Sequence, residues 1–352
     1  MPPPYTGQAI AFSYLKKIDS KYFQSLFFDT QRFNNKSLNY FFSFFILPIK
    51  IVFSGIDLIY LSSSRTPLGF IRQIPIFLMV KLMKIKLINH LQGADFKRFY
   101  TNSVLLKPLI TYCYNRIDTS IVLLEGMKKE YDFFTKMKIV VIPNAFDENF
   151  NRIDYKPNLS KKIIYLSNLM ASKGILEFVK AAAKILDKFS DSEIIIAGKF
   201  ISDHLMTIKE VEMEFSKLYY PLKNKFGERI NYKGLVVGNE KIDLLKESSI
   251  FILPTFYPTE GLPLSIVEAM RTNNVIITTK HNYLGELIGK KNGFLIKPKS
   301  SEEIFFSVKK IFEDEEKFIK FQEYNYNLSK EKYNIKVHLN AIKNVIEKEM
   351  LN

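Results

Sequence analysis

Short apolar runs rich in β-branched residues alternate along this chain with helix-length amphipathic segments. The runs fall at 57–61 (DLIYL), 86–90 (KLINH), 119–124, 139–142, 162–167 (KIIYLS), 193–197 (EIIIA), 229–232, 249–253 and 274–278. Between many of them lie segments with helical apolar spacing, such as 174–189 (GILEFVKAAAKILDKF) and 239–247. Strands that alternate with crossover helices predict parallel sheets in an α/β fold. At 352 residues the chain exceeds one ordinary core, so two doubly wound domains are expected. The stretch 142–162 (IPNAFDENFNRIDYKPNLSKK) is polar, carries two prolines and lacks an apolar period, which marks the boundary. The expected domains are 1–152 and 153–334, with 335–352 a terminal helix placed to pack back on the first.

Composition narrows the class. Hydrophobic residues at 47% with 25% charged describe a folded globular chain. The single cysteine, Cys113, excludes an internal disulfide and fits a reducing, cytoplasmic compartment; it reads as a small core residue on an apolar helix. No N-terminal segment shows the basic, apolar, small-residue order of a signal peptide. The stretches YFFSFFILPIKIVF and IPIFLMVKLMKIKLI are broken by Pro or Lys before about 18–20 residues, so no transmembrane helix is expected. The net charge is +15, and residues 1–150 hold 19 Lys and Arg against 10 Asp and Glu, a net of +9. A basic, aromatic-rich first half predicts an anionic partner: nucleic acid, a phosphorylated substrate or a membrane surface. A lysine-rich surface that only keeps the protein soluble would carry the same charge. No nucleic-acid motif accompanies it, so nucleic acid is not expected as a partner.

The stretch PTEGLPLSIVEAM (258–270) carries the chemistry. It follows the apolar run SSIFILPT, and ligands of open α/β sheets sit beyond the carboxyl ends of strands. The Gly261 and Leu262 amides are expected where a helix begins, and free N–H groups with the helix dipole attract phosphate there. Glu260, beside that anion site, is suited to accept hydrogen bonds from sugar hydroxyls. Glu268, farther along the helix, suits a vicinal diol such as a ribose. Together they fit a nucleotide sugar. Alone, the same two residues would read as a capping acid and a surface carboxylate.

With its Glu-x7-Glu spacing, this block resembles the signature of the retaining glycosyltransferases called group 1 or family 4, which have the GT-B fold of two Rossmann-like domains facing across a cleft. LSNLMASKGILEFVKAA (166–182) resembles the first donor-domain strand, loop and helix, and IIIAGKF, INYKGLV and KNGFLIKP resemble later landmarks. VVIPNAFD (140–147) is similar to the turn entering the interdomain linker, PPPYTGQAI to the glycine loop facing the donor diphosphate, and INHLQGADFKRFY to the acceptor-side loop. The resemblance implies a first domain that binds the acceptor and a second that binds the nucleotide sugar, UDP- or GDP-linked. It further implies no cofactor or metal, and no Asp-x-Asp occurs to hold one. It assigns Glu260 to the donor sugar, Glu268 to the ribose and Lys173 to the leaving diphosphate, with Gly7 and His90 on the first-domain side. The expected acceptor is a saccharide or lipid-linked sugar, as in bacterial surface-polysaccharide assembly.

Two departures stand out. Asn168 occupies the position where the family places an arginine against the diphosphate; Lys199, after IIIAG, is the expected substitute. The glycine loop lies directly at Met1-Pro2-Pro3-Pro4, so a central strand is expected upstream of it. These leave open an alternative, a catalytically impaired binding or scaffold protein of the same fold. His90 divides evenly between an acceptor-site residue and a structural histidine, and Gln92 stands where many relatives carry a second histidine. Gly7 also fits a plain turn, and His204, His281 and His338 are expected at the surface.

Overall fold

The computed structural model describes residues 7–30, 33 and 35–351. The chain divides into two compact units, Met1–Pro143 with Lys336–Asn352, and Asn144–Ile335.

In the first unit, β1 (Leu58–Ser62), β2 (Lys86–His90), β3 (Thr119–Val122) and β4 (Lys138–Val141) form a parallel sheet in chain order. The register pairs Ser62 with His90, so the loops leaving β1 and β2 are neighbours. Helices α1 (Gly7–Tyr14), α2 (Lys36–Phe41) and α3 (Leu47–Phe53) precede β1; a π-helical stretch, Phe42–Ile46, joins the latter two. The crossover from β1 is α4 (Pro67–Met83), started by the Thr66 side chain accepting from the Gly69 N–H. Its inner face buries Phe70, Ile76, Phe77, Met79 and Val80. Then α5 (Phe96–Asn102) and α6 (Lys107–Tyr114) lead to β3. Phe96, Tyr114, Tyr131 and Phe134 meet in an aromatic cluster, with the Phe96 and Tyr114 centroids 4.6 Å apart. Cys113 is buried beside it on α6. The glycine loop reaches the described residues only at Gly7, the first residue of α1; residues 1–6 lie outside them.

The second unit has six parallel strands in the order β10-β9-β8-β5-β6-β7. These are β5 (Lys162–Leu166), β6 (Glu193–Ala197), β7 (Ile230–Tyr232), β8 (Ile250–Leu253), β9 (Val275–Thr279) and β10 (Gly293–Ile296). The crossovers are α7 (Ile175–Lys188), α8 (Ile208–Phe226), α9 (Gly238–Glu247), α10 (Leu264–Arg271) and α11 (Leu284–Leu287); α12 (Ser301–Phe312) and α13 (Glu315–Lys332) follow β10. The central strands read as unbroken apolar runs because helices cover both faces. On α7, Ile175, Phe178, Val179, Ala182, Ile185 and Leu186 are buried at helical spacing. The winding reverses between β5 and β8, and that switch point is where open α/β sheets bind ligands.

Two glycines fix the strand ends at the switch point. Gly174 (φ +76°) lets α7 begin against the β8 exit; a Cβ there would lie 2.3 Å from the Pro254 carbonyl oxygen. Gly198 (φ +143°) leaves β6 so close to the β5 exit that a Cβ would sit 1.8 Å from the Ser167 oxygen. No other residue type fits either place.

The final helix, α14 (Ile335–Leu351), buries Ile342, Val345 and Ile346 against Ile88, Ile121 and Ile142 of the first unit. His338 rides on it and is a correction to the sequence reading: it is buried, not at the surface, with Nδ1 2.7 Å from the Pro143 carbonyl. Burial holds its pKa below the ordinary histidine value. The apolar period that docks α14 carries its histidine inward. The sequence pattern does not mark the short β10 as a strand, because GFLI is only four residues, half-exposed and preceded by a turn-like Lys-Asn.

Candidate active site

The loops leaving β5 and β8 bring the predicted residues of the second unit together. After β5 the chain makes one 3-10 turn, Ala171–Lys173, and Gly174 then turns it into α7. The loop after β8 doubles back, with the Phe256 N–H donating to the Ser172 carbonyl at 2.7 Å. That contact ties the two exits. Lys173 and Glu260 meet across them, Nζ to Oε2 at 2.5 Å, both largely buried. Thr255 Oγ1 donates to the same carboxylate oxygen at 2.9 Å, and the Tyr257 ring lies 5.1 Å from Nζ. Both donors use Oε2, so Oε1 faces no donor among the described residues and is available to a ligand hydroxyl. Asn282 Nδ2 donates to the Glu260 carbonyl at 3.0 Å, and the His281 ring lies 2.9 Å from that of Tyr257, which hold the loop's shape.

The helix beyond begins later than expected. Pro263 is the N-cap and Leu264 the first helical residue, so Gly261 and Leu262 form the approach to α10 and not its first turn. Pro263 lacks an N–H, which moves the first helical amide past it. The Leu262 carbonyl accepts from Asn144 Nδ2 at 3.2 Å, and Glu260, Gly261 and Leu262 are all buried.

Glu268 lies one turn into α10, on its buried side, and Lys241 on α9 donates to its Oε1 at 2.5 Å. Burial raises the Glu268 pKa above the ordinary glutamate value; Lys241 opposes that shift and Asp147 adds to it. A buried carboxylate with one lysine partner keeps its second oxygen for a diol. Spacing showed the two glutamates but not Lys241. That residue stands 27 positions earlier, and only the α9-β8-α10 topology brings it to Glu268. Thr255 was legible in principle, as the polar residue ending the run ILPT.

Asn168 is half-buried on the β5 exit and Lys199 exposed on the β6 exit. The Leu169 N–H donates to the Lys199 carbonyl at 2.8 Å, so the two loops lie side by side. Half-buried Asp203 accepts from the Ser172, Leu205 and Met206 amides, which hold the carboxyl below the usual range against the upward push of burial.

His90 belongs to the other unit. It ends β2 almost fully buried, with Nδ1 2.5 Å from the Tyr60 hydroxyl and Nε2 3.0 Å from the Gln92 amide. Burial, then His338, lowers its pKa to about 3, so the ring is neutral. Both nitrogens are engaged. Beside it, Ser63 Oγ donates to Asn89 Oδ1 at 2.6 Å, while Asn89 Nδ2 reaches Ser120 and Tyr131. His204 is exposed and His281 half-buried.

Two parallel α/β units, one with its carboxylates and lysines gathered at a switch point, define the GT-B class. A crystal structure of HepE from Anabaena, in complex with UDP, has this fold at TM-score 0.67 and 17% identity over 90% of this chain and 85% of its own. The chain belongs to the glycosyl transferases group 1 family, whose model matches residues 147–328. Two uncharacterized glycosyltransferases of Methanocaldococcus jannaschii are similar to it. One is 23% identical over 337 residues, 90% of this chain and 79% of its own. The other is 24% identical over 191 residues, 51% of this chain and 45% of its own. TuaC of Bacillus subtilis, provisionally named for teichuronic acid biosynthesis, is 26% identical over 140 residues, 40% of this chain and 30% of its own. The chain thus spans less than half the length of the last two.

Proposed function

We propose that this protein transfers a sugar from a nucleoside diphosphate sugar to a saccharide or lipid-linked acceptor, with retention of anomeric configuration. The observation that carries the reading is the Lys173–Glu260–Thr255 cluster, at a switch point that also holds Glu268. In this reading the donor's ribose hydroxyls donate to Glu268, and its sugar hydroxyls to Oε1 of Glu260. The diphosphate draws Lys173 toward itself. The acceptor hydroxyl oxygen bonds to the anomeric carbon on the face the diphosphate leaves, the old carbon–oxygen bond breaks, and the acceptor proton passes to a diphosphate oxygen. Negative charge grows on the leaving group, and a preorganised lysine with nearby amides is suited to meet it. The reading is metal-independent, because a fixed cation already serves that charge. The HepE complexes with UDP and UDP-glucose support a uridine donor, and the name of TuaC supports a place in surface-polysaccharide assembly.

The acceptor side is read as docking on a membrane. No helix among the described residues is long and apolar enough to cross one. Yet Phe41, Phe45, Ile49 and Phe53, at successive fourth positions along α2, the π-helical stretch and α3, are exposed, as are Leu68, Ile71, Leu78 and Leu82 on α4; Phe53 is 85% and Leu82 80% exposed. Lys50, Arg72 and Lys81 stand among them, and anionic lipid adds about 1 kcal/mol per basic residue near the surface.

The decisive assay is turnover against a panel of UDP- and GDP-sugars with lipid-linked acceptors, with and without a chelator. A product of the donor's own anomeric configuration, formed at an unchanged rate under chelation, is expected. Inversion, or loss of rate with the chelator, would overturn that part of the reading. Nucleotide-sugar binding with no turnover on any acceptor would leave the scaffold alternative, which Asn168 favours. Co-sedimentation with anionic but not neutral vesicles, lost at high salt, is the expected membrane result.

A further inference from the structure

A cavity of about 450 Å³ opens in the first unit, where the loops leaving β1 and β2 run side by side. Its polar wall holds Arg65, Asp95 and Arg98; its apolar side is Phe99, Val104 and Leu105. Arg65 Nη1 donates to Asp95 Oδ1 at 2.5 Å, which fixes the guanidinium plane and leaves its other N–H groups free of side-chain partners among the described residues. Arg98 is exposed and has no ion-pair partner among them. Two guanidiniums against one carboxylate leave the cavity with net positive charge.

Part of the lining is apolar and exposed without any local reason. Leu105 is 95% and Val104 73% exposed, on the short link between α5 and α6. Leucine so placed leaves its whole side chain in water, beside a cation whose planar fork fits phosphate oxygens. We propose that this cavity binds a phosphate ester whose far end is apolar, the phosphate against Arg65 and Arg98 and the hydrocarbon along Val104 and Leu105. As an acceptor carrier, such a ligand would deepen the glycosyltransferase reading and rests on it for its role; the binding itself does not.

The test titrates the full chain by calorimetry with octyl phosphate below its micelle concentration, with inorganic phosphate and with octyl glucoside. Octyl phosphate is expected to bind at least about tenfold more tightly than inorganic phosphate, with no heat from octyl glucoside. The Arg98→Gln variant should weaken octyl phosphate about tenfold or more, the loss of a charge-assisted contact. Leu105→Ser should weaken octyl phosphate a few-fold and leave inorganic phosphate unchanged. Both positions are exposed, so the variants are expected to fold. Equal binding of octyl glucoside, or full affinity in Arg98→Gln, would overturn the proposal. Inorganic phosphate binding as tightly as octyl phosphate would overturn its apolar half and point to a soluble phosphate ester. UDP is titrated into the same samples. Loss of UDP binding with octyl phosphate retained would count against the donor site and not against this one.

Discussion

The two units differ in the polar groups they hold at the ends of their central strands. In the second, the switch point carries two ion pairs out of bulk water, Lys173–Glu260 and Lys241–Glu268. In the first, the polar groups at the ends of β1, β2 and β3 are neutral, Ser63, Asn89, Ser120 and Tyr131 in one network and Tyr60 and His90 in another, while the Arg65–Asp95 ion pair stands on the loops beyond them. A buried ion pair recovers its desolvation cost poorly, and apolar replacements are often as stable, so two such pairs in one place point to ligand chemistry over folding. A fully satisfied neutral network does the reverse. It rigidifies the core.

The largest effect should come from breaking that contrast at Lys173. Lys173→Met and Glu260→Gln are each expected to lower kcat by about 10²–10³-fold, in the range seen when one preorganised group is removed at a site of developing charge. The Lys173→Met/Glu260→Gln double variant should unfold at or above the wild-type temperature, since both charges leave the interior together. Wild-type turnover in either single variant would remove the pair from the mechanism. A sharp loss of stability in the double variant would make it a structural bridge.

The second pair should answer differently. Glu268→Ala and Lys241→Met are expected to weaken nucleotide binding about tenfold or more while kcat falls less, because ribose contacts are alike in ground and transition states. Lys241→Met should also let burial raise the Glu268 pKa further, so the carboxylate protonates at higher pH. Donor affinity in that variant would then fall earlier on acidification than in wild type, as calorimetry across the acid range would show. A pH profile superimposable on wild type would mean that Lys241 does not tune Glu268.

How much of this was written in the sequence follows the same division. The strands of the second unit are continuous apolar runs whose exits are fixed by Gly174 and Gly198, so spacing together with the family resemblance singled out Glu260, Glu268 and Lys173 as candidates. Lys241 was illegible because it reaches Glu268 through the fold and not along the chain. In the first unit a histidine at a strand end looks the same whether it faces a ligand or a hydroxyl partner; Tyr60, 30 residues away, supplies what the sequence does not announce. His338 misled for a related reason, since one polar residue among several in an amphipathic helix reads as exposed until the helix's partner is known.

The neutral network can be tested through acid stability. Folded His90 has a pKa near 3, against about 6.5 in an unfolded chain. The unfolded state therefore takes up a proton that the folded state refuses between those values. The stability His90 contributes is whole above about pH 6.5 and is lost as pH falls toward 3. Denaturant unfolding across that window should show a slope in His90→Gln shallower than wild type by about one proton, roughly 1.4 kcal/mol per pH unit at most. Equal slopes would mean that the histidine charges within the fold and is exposed to solvent.

The smallest effect concerns Lys199, where the second unit's reliance on charge reaches the surface. Its loop is bound to that of Asn168 by the Leu169–Lys199 backbone bond, which puts its side chain's origin beside the position where an arginine was expected. An exposed lysine is hydrated and screened, so its pull on a diphosphate is small and dependent on salt. Lys199→Ala is expected to weaken UDP binding only a few-fold at low salt and not measurably at high salt. Asn168→Arg, whose guanidinium would start from a half-buried position and offer two parallel donors, should more than restore the loss in a Lys199→Ala background. If Lys199→Ala binds UDP as wild type does at low salt, the substitution of one cation for another fails. Asn168 would then have to act through its own amide.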